Sequence, residues 1–173
     1  MSKLKRNFRV LTLALVAVAA VGSAAVAQRQ LAGRVEGRPE VKVALAGAVE
    51  RGGRDLALSE VEAVRPGEIL KWEITSTNEG TGEAREYKAV GHIPAGTAFV
   101  QGSAEGENGS TVTFSIDGGK TFSKQPIVEE RQADGSVKIV PAPVSMYTEV
   151  RYEWSDGLAA GGKLNASYKV RVK

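Results

Sequence analysis

The final ten residues of this chain restrict its fold more than any other stretch. From Leu164 to Lys173 apolar and polar side chains alternate without a fault. Leu164, Ala166, Tyr168, Val170 and Val172 fall on one side, and Asn165, Ser167, Lys169, Arg171 and Lys173 on the other. A period of two suits a half-buried β-strand and does not suit a helix. The pattern recurs at Ile69–Asn78, where Leu70, Trp72, Ile74 and Ser76 oppose Lys71, Glu73, Thr75 and Thr77. It recurs again at Thr148–Trp154, where Val150, Tyr152 and Trp154 oppose Arg151 and Glu153. No helical period stands out after residue 28.

The segments between these strands read as shorter strands and turns. Val41–Val49 is an expected first strand, and Gly52-Gly53 a turn into a short extended piece around Leu56 and Leu58. Arg65-Pro66-Gly67 turns again before Ile69. The loop Asn78–Gly82 leads to an extended Tyr87–Ile93, and Pro94-Ala95-Gly96 turns that into Thr97–Val100. Glu105–Gly109 is a polar loop, and Thr111–Ile116 a strand ending in the hairpin turn Asp117–Lys120. Asp134-Gly135 is expected to join strands near Ile127–Glu130 and Val137–Val140. Many short strands with regular turns predict an all-β fold, an immunoglobulin-like β-sandwich of about seven to nine antiparallel strands.

Residues 1–27 have the three parts of a cleavable signal peptide: a cationic start, an apolar run from Val10 to Val21, and Ala25-Val26-Ala27 before Gln28. The expected organisation is therefore a signal peptide over 1–27, a flexible polar arm over 28–40 and a sandwich domain over 41–173. The formal charge of +3 depends on Lys3, Lys5, Arg6 and Arg9; without them acids slightly outnumber bases. A domain with no basic excess is a poor match for nucleic acid. After signal cleavage no membrane span is expected. The chain has no cysteine, which excludes thiol catalysis, thiolate metal sites, disulfides and an acylated N-terminal Cys.

The order of the turn motifs resembles a known family. Pro66-Gly67 is followed by the strand LKWEITSTN ending at Asn78, then Gly80. Ile93-Pro94-Ala95-Gly96 and TAFVQGS come next, and after them TFSIDGGKTF (Thr113–Phe122), VRYEW, Gly161-Gly162 and a last strand. In this the chain is similar to the bacterial conserved-repeat surface domain, the domain of unknown function numbered eleven. The likeness covers most of Val41–Lys173, in a single copy. It implies an immunoglobulin-like sandwich of cell-surface and envelope proteins, and it transfers no catalytic residue. The family often carries Asp two residues before its Leu-Pro-x-Gly motif; Gly91 holds that place here, followed by His92.

The chemistry-bearing residues are few. His92 is the only histidine, so a Ser-His-Asp arrangement would rest on it alone, and it is read as a surface residue. The acids Glu105, Glu107, Asp117, Glu129, Glu130, Asp134 and Asp156 are scattered over loops without a D-x-D-x-D-G pattern and are read as solvated. A Lys71–Asn165 isopeptide bond would need both side chains inside, and both fall on the outward parity. Trp72, Trp154, Tyr152 and Tyr168 fall on the inward parity and are read as core rather than as a sugar-stacking platform. No catalytic, cofactor-binding or metal-ligating residue is assigned, and no cofactor is expected.

The expected function is an exported, non-enzymatic structural or interaction module of the bacterial cell envelope, in the periplasm, on the surface or outside the cell. Its partner would be a protein or a cell-wall component. Two alternatives stay open. One is a glycan- or peptide-binding module using the Glu105–Gly109 loop. The other is a self-assembling filament subunit that donates its 28–40 arm, with Leu31 and Val35 filling a neighbour's pockets.

Overall fold

The computed structural model describes residues 37–173. The expected signal peptide and residues 28–36 of the expected arm lie outside them. The described chain is an all-β, antiparallel sandwich. Its strands are β1 (Val41–Arg51), β2 (Arg54–Ala57), β3 (Ile69–Asn78), β4 (Lys88–His92), β5 (Thr97–Phe99), β6 (Glu105–Gly106), β7 (Thr111–Ser115), β8 (Ile127–Arg131), β9 (Val137–Pro141), β10 (Glu149–Glu153) and β11 (Lys163–Val172). Two short 3-10 turns, Leu58–Glu60 and Val144–Met146, are the helical elements among the described residues.

A six-stranded sheet runs in the order β2-β1-β3-β11-β5, with β6 also paired to β11. It faces a three-stranded sheet, β4-β10-β7. The fault-free final strand thus sits inside the larger sheet, between β3 and the short β5 and β6. In a constant-type immunoglobulin domain the last strand pairs with the one before it. Here β10 and β11 lie in different sheets, so the two-layer architecture comes with its own pairing order.

The alternation read from sequence becomes the core. Leu70 and Ile74 of β3, Leu164, Ala166, Tyr168 and Val170 of β11, and Val150 and Tyr152 of β10 are all buried. The two tyrosines satisfy their hydroxyls across the layers: Tyr152 donates to the Ser167 carbonyl at 2.7 Å and Tyr168 to the His92 carbonyl at 2.6 Å. Burial raises both phenol pKa values. Trp154 is also buried, and its Nε1–H donates to the Glu107 carbonyl at 2.8 Å. Burying aromatics of this size contributes about 2–3 kcal/mol each by area.

Trp72 points inward as its parity requires but is only half-buried. It lies opposite Gly47 of β1, and its indole occupies the space a side chain there would fill. A Cβ on Gly47 would stand 2.8 Å from Trp72 Cζ3 and 2.6 Å from Leu58 Cδ1.

Three details depart from simple alternation. On β7 the polar Thr113 and Ser115 are buried, although they face away from the core. The chain after β7 folds back over them: Phe114 bridges Ser123, and the Phe122 ring lies 4.0 Å from the Arg151 guanidinium carbon. The turn at Asp117–Lys120 therefore returns to a single bridge rather than to a full second strand. Lastly, β8 and β9 form their own two-stranded ribbon, paired Ile127 to Pro141 through Arg131 to Val137, outside both sheets.

The segment expected to be an arm is held to the domain at its C-terminal end. The Arg38 carbonyl accepts from the Thr81 and Gly82 amides, and the Glu40 carbonyl from Glu79. Asn78, fully buried, closes this corner. Its Oδ1 accepts from the Glu40 and Gly80 amides at 3.0 and 3.1 Å, and its Nδ2 donates to the Gly82 and Leu158 carbonyls at 2.8 and 3.0 Å. All four bonds go to backbone, in three segments. Gly37 lies against the backbone of Thr81 and Gly82, Gly82 against that of Gly37, and Gly80 against that of Arg38–Glu40, so closely that a Cβ on any of the three would overlap a carbonyl.

Candidate functional site

The outer face of the six-stranded sheet carries a groove of about 450 Å³. Glu73 and Thr75 come from β3, Asn165 and Ser167 from β11, and Glu105 and Glu107 from β6 and the loop after it. It forms because β6 is only two residues long. β6 pairs with Ala166 and Ser167 and then leaves the sheet, so the loop stands up as a wall beside the floor made by β3 and β11.

The wall is tied to the floor through one carboxylate. Glu107 accepts from the Asn165 amide and from Asn165 Nδ2, both at 3.0 Å. Asn165 Oδ1 in turn accepts from the Thr75 hydroxyl at 3.0 Å. Those bonds from Asn165, and the positive charge of Lys163, lower the Glu107 pKa. The Glu107 main chain meanwhile holds the Trp154 indole and donates to the Asn165 carbonyl at 3.1 Å. Glu107 thus couples the groove wall to the core beneath.

Glu73 is paired with Lys71 at 2.6 Å, and Glu105 stays exposed at the groove's edge. Among the described residues no three His, Asp or Glu side chains are arranged to hold a metal ion. The groove offers carboxylates and amide and hydroxyl dipoles on an open floor, which suits a polar or cationic ligand bound by hydrogen bonds.

His92 lies elsewhere, at the end of β4. Its side chain is 72% exposed and 3.9 Å from Glu149, the surface placement expected of it. Lys71 and Asn165 both point outward. Asp117 is engaged within its own turn, accepting from Ser115, Lys120 and Thr121, and these bonds hold its carboxyl far below the usual range. Asp134 is used the same way by Ser136.

A second concavity is apolar. Phe99, Phe114 and Tyr147 pack as a cluster with ring centroids 4.8–5.8 Å apart. Together with Pro141, Pro143 and Val144 at the foot of the β8–β9 ribbon they line a space of about 900 Å³. Nothing in the sequence pattern signalled it, because its walls come from segments remote in the chain.

Gly91 shows what stands where the resembled family often has Asp. A Cβ at Gly91 would overlap the Tyr168 ring. Tyr168 fills that side of β4, and an Asp cannot share the space. Among the described residues no helix is long and apolar enough to cross a membrane. Compared with protein-family models, with curated proteins and with solved structures, the chain gives no match in any of the three.

Proposed function

We propose that this protein is an exported, non-enzymatic structural or interaction module of a bacterial cell envelope, working through sheet edges and loops. One observation carries the reading. Two extended elements present apolar side chains to solvent beside a strand edge that is unpaired among the described residues. On the ribbon these are Ile127, Val137 and Ile139; on the N-terminal half of β1 they are Val43 and Leu45. Exposed strands with apolar side chains are what proteins use when they bind by strand addition. Glu107 and Asp117, in contrast, are engaged with neighbouring side chains and backbone.

The resemblance to the conserved-repeat surface domain supports the same reading, as does the leader-like composition of residues 1–27. Fractionating the native cells tests it. The protein is expected in the exported or envelope fraction together with a co-purifying envelope component; recovery from the cytosol would sink the proposal.

The groove beside Glu105–Glu107 favours a second reading, a module that binds a glycan or a partner's peptide. Binding to isolated cell-wall polysaccharide that Glu105→Ala weakens would favour it. Glu105 serves better than Glu107 for this test, because the Glu107 side chain also holds β11.

A further inference from the structure

We infer that the open edge of β1 pairs antiparallel with the same edge of a second copy of this chain, about a two-fold axis at Ala44. This deepens the proposed function by naming the partner, and it rests on that reading.

The edge follows from the register. β1 pairs with β3 from Val41 to Val49, whereas β2 covers its other side only from Ala48 to Arg51. Residues Val41–Gly47 thus have no strand on that side among the described residues. The bond from the Glu79 amide to the Glu40 carbonyl sets the alternation. Lys42, Ala44 and Ala46 turn their main-chain groups toward β3, and Val41, Val43, Leu45 and Gly47 turn theirs to the open side.

This edge lacks the usual protections. It contains no proline, and its one charge, Lys42, is paired with Glu79 on the outer face. The sheet's opposite edge is blunted by the short β5 and β6. β4 carries Lys88 and His92, and β7 is bridged by Ser123. Natural edges are normally kept short, charged or covered. Val43 and Leu45 are each 59% exposed, although they lie on the same side as Ser76 and Ile74, because the three-stranded sheet does not reach across to cover them.

The segment is self-complementary. With the axis at Ala44, Val43 of one copy meets Leu45 of the other, and both turn their main-chain donors and acceptors to the shared edge. Each such pair therefore exchanges both hydrogen bonds. The four apolar side chains form one cluster across the axis. Lys42 lies opposite Ala46, so no like charges meet, and the neighbour of Ala46 on β3 is Glu73, of opposite sign. The contact is isologous, so it closes at two copies.

The test uses the full chain, which has no cysteine of its own. In the proposed register Ala44 faces its own copy as a non-hydrogen-bonded pair, with Cα atoms about 4.5 Å apart, which suits a disulfide. Ala46 faces Lys42, and two copies of residue 46 stand about 13 Å apart. Oxidised Ala44→Cys is expected to run as a dimer on non-reducing gels, and Ala46→Cys as a monomer. Light scattering of the unmodified chain is expected to double in mass with concentration. Val43→Lys, at a side chain already exposed, and Leu45→Pro, at an amide not bonded to β3, are expected to hold it at monomer mass. Equal crosslinking at 44 and 46, or a dimer that survives both edge variants, overturns the pairing and places the contact elsewhere, segment 28–36 included. A protein that is monomeric at every concentration yet fractionates with the envelope also overturns it, and leaves the module reading standing. An Ala44→Cys dimer in a protein recovered from the cytosol supports the pairing and removes that reading instead.

Discussion

At the scale of single residues the structure depends on positions that the alternation does not single out. Asn78 is the clearest. As a strand end followed by glycines it signals only a turn, yet its amide joins four backbone groups from three segments. Asn78→Asp keeps the acceptor and loses both donors, so the Gly82 and Leu158 carbonyls then face a carboxylate. The expected loss is about 2–4 kcal/mol at neutral pH, measured by urea unfolding. The deficit should shrink in acid, where protonation returns one donor. Gly91 is the second such position, where the missing side chain makes room for Tyr168. Gly91→Ala is expected to cost about 1–3 kcal/mol through overpacking. In Gly91→Ala/Tyr168→Val the two costs should sum to less than they do separately; full additivity in a double-mutant cycle would mean that the two sites do not share that space. Trp72 marks the limit of parity as a guide. It faces inward as read, but its burial depends on how far the opposing sheet extends.

At the scale of elements, strands and turns were legible wherever alternation and glycine coincide. Gly52 and Gly53 have φ of 58° and 74° and turn β1 directly into β2. Asp134-Gly135 lies in the turn of the β8–β9 ribbon as expected. What was not legible was where each element would attach. Nothing in Ile127–Pro141 says that the ribbon joins neither sheet. A free two-stranded ribbon contributes little stability of its own. Replacing residues 127–141 by a short glycine linker is therefore expected to leave the melting temperature within a few degrees, with the Pro126–Ala142 hydrogen bond closing the gap; a collapse of the transition would show the ribbon to be part of the core. The turn before β3 carries a pH signature. Arg51 grips Glu68 through two bonds, at 2.7 and 3.0 Å, and the Arg65 amide adds a third; together they lower the Glu68 pKa from 4.5 to about 2. A depressed carboxyl pKa stabilises the folded state fully above the ordinary value and loses that contribution as pH falls through the depressed one. Wild type is therefore expected to lose stability between about pH 4.5 and pH 2, and Glu68→Gln to show a flatter profile there in urea titrations.

At the scale of the whole molecule, the all-β class and the two layers followed from sequence, because apolar faces at period two must be buried against another sheet. The groove, the aromatic concavity and the open edge did not follow: the groove depends on where the two-residue β6 leaves the sheet, the concavity on segments remote in the chain, and the open edge on unequal sheets. Six strands facing three leave part of the larger sheet uncovered, and no local pattern records how wide the opposing layer will be. The same strand order also governs how the chain is put together in time. β11 lies between β3 and the β5 and β6 strands, so β5 and β6 have no place in the larger sheet until Lys163–Val172 exist, whatever follows them. A chain emerging from the ribosome can pair β1 with β3 early, but the two layers cannot close their core before Lys163–Val172 have been made.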